Sequence, residues 1–261
     1  MTPTSPPPHP NTNDRISELL ERLEPITLEQ MSGIKLMNRT DTKFVTNKRK
    51  LVQLLEQAQG KYYAQFHQGS RIADYMTTYW DTDEYDFYLE HHNGRAPRQK
   101  VRVRTYMDSG QSFLEVKTKN NHGRTRKKRI EVPGQEQLDG GESFLHTMVR
   151  RGLGDIHPVV RNRFHRITLV NHAKTERLTI DFDVHFHNFE TGRETGTGQL
   201  VIIELKRDGN VFSPVLDILR RLRIKPSGFS KYCIGCVMTN PAMKQNLFKP
   251  KLTKIRRLVR N

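Results

Sequence analysis

The chain has 261 residues, enough for one large or two small domains around a substantial core. Its 44 Lys and Arg against 28 Asp and Glu give a formal net charge of +16, which points to an anionic partner: nucleic acid, an anionic membrane surface or a phosphorylated metabolite. Two cysteines exclude a disulfide framework, and no apolar run approaches the roughly 20 residues of a bilayer-spanning helix, so the sequence reads as soluble and cytoplasmic.

Residues 1–14 are Pro-rich and polar, without the charged-then-apolar order of a secretory signal, and are expected to form a disordered leader. Ile16, Leu19, Leu20 and Leu23 then make one helical stripe, with Pro25 as the expected stop. Asn38 to Thr46 alternates like a strand, and Asn47 suits the cap of a helix running to Gly60. Ala73 to Asp81 is aromatic and Thr-rich, which favours strand, and a short helix is expected before the turn at Asn93 and Gly94.

The most informative stretch follows. In RQKVRVRTY, Arg98, Lys100, Arg102 and Arg104 fall on every second residue, with Val101 and Val103 on the other parity, so a strand puts all four cations on one face. FLEVKTK repeats the pattern with Phe113, Glu115, Lys117 and Lys119 against Leu114 and Val116, and KKRIEV does so with Lys127, Arg129 and Glu131 against Ile130 and Val132. Turns at 108–111 and 120–123 make these three strands an antiparallel meander. Cationic rows about 4.8 Å apart repel one another unless a polyanion or interleaved carboxylates neutralise them. Glu115 is the nearest candidate to balance Lys117.

A helix is expected from about Gly141, then strands over Val159 to Val170, Glu176 to Phe189 and Gln199 to Lys206, and helices beginning at Ser213 and after Gly228. Eight mostly antiparallel strands with polar inward faces imply an α+β fold built on a closed barrel with flanking helices, since closure removes sheet edges. The principal domain is expected over residues 15–243. Residues 244–261 carry seven cations and no acids and read as an exposed basic tail.

The lone C-x-x-C at Cys233 and Cys236 lacks a second ligand pair and reads as buried helix cysteines; His185 with His187, and His91 with His92, lack a third ligand. No Gly-rich phosphate loop or dinucleotide fingerprint is present, so phosphates must be held by side chains.

RTDTKF from Arg39, YWDT from Tyr79, KVRVRTY, FLEVKTK, KKR, FHRITL, RLTIDFDV, VIIELK and GFSKYC occur in an order that resembles the VTC-type polyphosphate polymerase domain of the triphosphate tunnel (CYTH-like) superfamily, over about Arg39 to Cys233. The resemblance implies a β tunnel whose catalytic or phosphate-binding positions are Lys43, Arg102, Arg104, Lys117, Lys127 and Arg166. It adds Arg39, Arg129, Arg177, Ser230 and Lys231 as further phosphate contacts and Glu204 as ligand of an Mn or Mg divalent cation. Each has a plainer alternative: ion pairing on a strand for Lys43 and Lys117, helix capping for Ser230, and neutralisation of a neighbouring cation for Glu204 and Asp181. Where the family often has tyrosine, Phe164 stands here, without a hydroxyl.

The implied activity is transfer of the γ-phosphoryl of ATP to a growing polyphosphate chain. Hydrolases of the superfamily typically begin with Glu-x-Glu-x-Lys, whereas this chain has Arg39, Asp41 and Lys43, which favours transfer over hydrolysis. The alternatives are an inorganic or nucleoside triphosphatase and a noncatalytic polyphosphate or RNA binder. ATP and polyphosphate are the expected partners, and a membrane protein is a further candidate. Nucleic acid is not favoured, because few aromatics interleave with the basic strands. The expected location is cytoplasmic, or peripheral at the inner face of the membrane.

Overall fold

The computed structural model describes residues 11–32, 39–122, 124–135, 138, 140–150, 156–209 and 211–260, with 32, 39, 259 and 260 described by their backbone alone. The elements in chain order are α1 (Thr12–Glu21), β1 (Glu24–Ile26), α2 (Leu28–Ser32), β2 (Arg39–Asn47), α3 (Lys48–Ala58), β3 (Tyr62–Gln65), β4 (Ala73–Thr82), α4 (Asp86–His92), β5 (Arg98–Tyr106), β6 (Ser112–Lys119) and β7 (Thr125–Val132). After these come α5 (Glu142–Met148), β8 (Ile156–Asn171), β9 (Glu176–Asn188), β10 (Glu194–Gly196), β11 (Leu200–Asp208), α6 (Pro214–Arg221), α7 (Lys231–Thr239) and α8 (Lys249–Arg260). No helix is long and apolar enough to cross a membrane among the described residues.

The chain divides into two compact units, and β8, β9 and β11 contribute residues to both. The first unit comprises Met1–Arg71, Ile167–Ile180 and Val201–Ser227. Its strands run β2-β11-β9-β8-β3-β1, with β1 parallel to β3. Asn11 caps α1 by accepting from the Asn13 amide at 3.3 Å, so Thr12 to Asp14, read above as leader, form the first helical turn. The helix ends at Arg22, before Pro25, which lies in β1. Asn47 caps α3 as its sequence suggests, accepting from the Lys50 amide at 3.1 Å, and the buried Leu51, Leu54 and Leu55 make the apolar side of that helix.

The second unit comprises Ile72–Arg166, Asp181–Leu200 and Gly228–Asn261. Its strands run β9-β8-β4-β5-β6-β7, with β10 antiparallel to β9. The apolar parity of the basic strands does what it predicts: Val101, Val103, Leu114, Val116 and Val132 join Trp80, Phe87, Leu145 and Val149 in one buried cluster. That leaves the charged parity on the opposite face of the same strands.

The closed, eight-stranded barrel expected from the sequence is corrected by the structure. There are eleven strands, and among the described residues no pair joins β2 to β7. The added strands β1, β3 and β10 have three or four residues, too few for alternation to be legible. β7 carries Arg126, Lys127, Lys128 and Arg129 in succession, all exposed, and their repulsion disfavours a further strand alongside. Within β9, Asp183 adopts φ 50°, a left-handed conformation that Asp tolerates better than most residues.

Two features fix α7 in the second unit. The Asp81 carboxylate is fully buried and accepts from the Thr82, Phe87 and Tyr88 amides, each at 2.9 Å, and from the Tyr232 hydroxyl, so one acid caps α4 and tethers α7. Burial raises its pKa, and the hydrogen bonds oppose that shift. The residues expected as an exposed tail instead fold back: Phe248 is buried with its ring edge-on to Tyr88 and His92, and Leu252 and Ile255 bury one side of α8. On α7, Gly235 has no room for a side chain, since a Cβ there would lie 2.7 Å from Phe186 Cδ1 and 3.3 Å from Val160 Cγ2. Gly235→Ala is therefore expected to lower stability by about 1–3 kcal/mol through overpacking, despite alanine's better helix propensity. Urea unfolding measures this, and an unchanged midpoint would show that Phe186 yields freely.

Candidate functional site

Cross-strand register assembles the cationic face in the second unit. Lys100, Lys117 and Lys127 lie directly opposite one another across β5, β6 and β7, and the next rung holds Arg102, Glu115 and Arg129. On the other side of β5, Tyr79 of β4 lies opposite Arg102 and Thr77 opposite Arg104. β8 then places Asn162 opposite Thr77 and Phe164 opposite Tyr75. Residues paired in this way share a face, so these positions line one surface.

Two buried carboxylates each pair with two of the cations on that surface. Glu115, 1% exposed, takes Arg102 Nε at 2.7 Å, Arg102 Nη2 at 2.5 Å and Lys127 Nζ at 2.8 Å. Lys117, for which Glu115 was expected as a balance, is exposed on the same face, and Glu115 also holds Arg102 and Lys127 from the two neighbouring strands. Burial works against the charge on Glu115, yet Arg102, Arg104 and Lys127 together hold its carboxyl well below the usual carboxylate range. Burial likewise opposes the charge on Arg102, and Glu115 and Tyr79 more than offset it, raising its pKa.

The second carboxylate is Asp181, which accepts from Arg166 Nε at 2.6 Å and Nη2 at 2.9 Å and from Lys231 Nζ. Its pKa is lowered because Arg166 and Lys231 outweigh the effect of burial. Phe164, the departure from the family pattern, is a platform: the Lys231 ammonium sits 4.0 Å from its ring centroid, and the ring stacks on Tyr75 at 5.4 Å. Burial pushes Lys231 down to about 7, with Arg166 and Arg104 acting in the same direction and Asp181 opposing them.

Between the two clusters, Arg104 makes no ion pair among the described residues. Its Nε donates to Thr77 Oγ1 at 3.4 Å, and its guanidinium lies 5.6 Å from the Tyr75 ring centroid. Burial, reinforced by Arg102 and Arg166, pushes its pKa down to about 10. Ser230 caps α7 by accepting from the Cys233 amide at 3.3 Å and also accepts from Lys100 Nζ at 2.7 Å, so capping and contact with the basic face occur together. Arg129 is exposed and stacks over Phe113 at 4.5 Å.

The remaining candidates lie in the first unit. Glu204, on β11, has Lys43 Nζ at 3.5 Å and Lys206 Nζ at 3.7 Å, and Arg177 is half-buried on β9. The side chain of Arg39 lies outside the described residues. Among the described residues no three His, Cys, Asp or Glu side chains gather as a metal cage. A single carboxylate fits a divalent ion that completes its shell with phosphate oxygens and water, the usual arrangement for Mg²⁺ with nucleotides. Parity places Lys100 on the cationic face with Arg102, as the sequence indicates, whereas Asp81 and Asn162 carry no sequence signal, because their burial is not legible there.

The model of the VTC domain family matches residues 38–240. Among solved structures, the chain is similar to the HpAC1 protein of Hippeastrum, described as having a dominant triphosphatase activity, at 15% identity over 78% of this chain and 97% of that one, with a TM-score of 0.45. It is also similar to the PH1819 protein of Pyrococcus horikoshii, at 15% identity over 74% and 93% of the two chains, TM-score 0.42. The Pct1 RNA triphosphatase of S. pombe matches at 9% identity over 98% and 94%, TM-score 0.30. No curated protein matches.

Both acids have folded pKa values below their unfolded ones, so their contribution to stability is complete above the ordinary carboxylate range, near pH 4–4.5, and is lost as pH falls through the folded values. Acid unfolding is expected to begin below about pH 4, and Glu115→Ala to cost about 3 kcal/mol at neutral pH by leaving the half-buried Arg102 without its carboxylate partner. A denaturant series at several pH values tests both statements. The folded pKa of Lys231 is depressed as well, by burial rather than by neighbouring cations alone, so a bound polyanion that favours the ammonium draws in protons between about pH 7 and 10. Calorimetry of tripolyphosphate binding at pH 8, in buffers of different ionisation heat, should show net proton uptake that Lys231→Met abolishes. Equal heats in all buffers would contradict it.

Proposed function

Since the chain belongs to the VTC domain family, we propose that it is a polyphosphate polymerase, transferring the γ-phosphoryl group of ATP to the end of a polyphosphate chain and releasing ADP. The observation that carries this reading is Arg104, a half-buried guanidinium without a carboxylate partner among the described residues, set between two cation clusters that have one. Such a surface carries an excess of positive charge that a phosphate chain would balance. The planar donor fork of arginine suits two oxygens of one phosphoryl group.

In the proposed reaction, a terminal phosphate oxygen of the acceptor chain forms a bond to the γ-phosphorus. The bond from that phosphorus to the β–γ bridging oxygen breaks, and ADP leaves with the electron pair. Phosphoryl transfer asks the protein mainly to align donor and acceptor and to stabilise charge on the equatorial oxygens. Arg104 supplies that field directly. Arg102, Lys127 and Arg166 keep their orientation through Glu115 and Asp181, and Lys100, Lys117 and Lys231 add point charges along the face. The attacking phosphate is already ionised, which accords with a face whose two buried acids are both engaged by cations. Glu204 is the residue that would hold an Mn or Mg ion, which when bound supplies charge neutralisation to the phosphate oxygens.

Purified protein incubated with ATP and Mn²⁺ or Mg²⁺ is expected to yield ADP and long-chain polyphosphate in step, with at least a hundredfold loss in Arg102→Ala/Arg104→Ala, in line with the roughly 2.7–4 kcal/mol that one such stabilising donor supplies. Free phosphate without polymer would replace this reading with a triphosphatase. Polyanion binding without ADP release would reduce it to a binding module.

A further inference from the structure

Asn162 is buried to 1% exposure, and neither its Oδ1 nor its Nδ2 has a hydrogen-bond partner among the described residues. A carboxamide shut away from water with both ends unused is costly, and most buried polar groups are paired. Its position gives the reason. It occupies the same cross-strand rung as Thr77 and Arg104, and Thr77, fully buried between them, takes Arg104 Nε at a long 3.4 Å. The rung is therefore poorly satisfied, whereas Arg102 on the adjoining rung is held by Glu115, and Arg166, two rungs away in the other direction, by Asp181.

We infer that Asn162 is a positioning residue for Arg104, its carboxamide oxygen accepting an N–H of the guanidinium when an anion draws that group into its loaded orientation. The chemistry suits an asparagine and excludes its acid counterpart. A neutral acceptor orients the guanidinium without cancelling its charge, whereas an aspartate would form an ion pair and occupy the seat meant for phosphate. An unpartnered amide in the empty protein is thus the counterpart of a hydrogen bond made in the loaded one. This explains why an orphaned group sits beside the least neutralised arginine of the face. The inference rests on the anion-binding reading above and is independent of the transfer step.

The test is tripolyphosphate binding by calorimetry, together with thermal unfolding, for the full chain and for Asn162→Leu and Asn162→Asp. Asn162→Leu has similar volume and removes the unpaired polar atoms, so its melting temperature should equal or exceed that of the parent. Its affinity should fall about tenfold, the loss of one hydrogen bond to a charged group. Asn162→Asp should melt higher still and bind tripolyphosphate more weakly than the leucine variant. In an Arg104→Lys background, which lacks the fork to be oriented, Asn162→Leu should have no further effect. Parent-like affinity in Asn162→Leu, or the same loss in both backgrounds, would overturn the inference. So would a lower melting temperature in both Asn162 variants, which would make the residue a structural one. If the parent chain itself binds no tripolyphosphate, the anion-binding reading fails and this inference with it.

Discussion

The architecture of the second unit depends on one electrostatic constraint: several arginines and lysines are held on a single sheet face, and two buried carboxylates among the described residues answer four of them. Glu115 and Asp181 each serve two cations, and each stays ionised although burial opposes it, because the paired charges around it outweigh the desolvation. This sharing leaves the face short of negative charge by design of its geometry. A third acid opposite Arg104 would close the balance, and with it the capacity for a guest.

The same constraint organises the strands behind the face. Alternation sends Val101, Val103, Leu114 and Val116 into an apolar cluster with Trp80 and Phe87, so the sheet is anchored on one side while its other side carries charge. The helix bearing Ser230 and Lys231 needs a separate anchor, which Asp81 provides by joining the start of α4 to Tyr232. A position that reads as part of a strand thereby sets where a basic helix terminus is held.

How much of this was legible in the sequence follows from the range of the forces involved. Parity is local, so the inward set of Arg102, Arg104, Glu115, Lys127 and Arg129 could be read from the period of two. Caps are local as well, and Asn47 and Ser230 do what their positions suggest. Pairing is not local: the sequence offered Lys117 on Glu115's own strand, and nothing in it showed that Glu115 answers cations of two neighbouring strands. Asp81 meets a hydroxyl 151 residues away, and nothing in YWDT announces it. Asn162 stands in NRFHR, a polar stretch in which burial has no sequence signature. Closure also failed to follow from strand count, since it is decided by whether two distant edges can tolerate each other.

That last point gives the four consecutive cations of β7 a second consequence. Among the described residues this strand pairs only with β6, so it offers a row of backbone donors and acceptors on which another chain's strand could nucleate. Arg126 to Arg129 would meet the same run in any second copy aligning there, and like charges at strand spacing repel. A polyanion bridging two such edges would remove that protection, so colloidal stability of the protein should decline as short phosphate chains approach charge equivalence and recover when they are in excess.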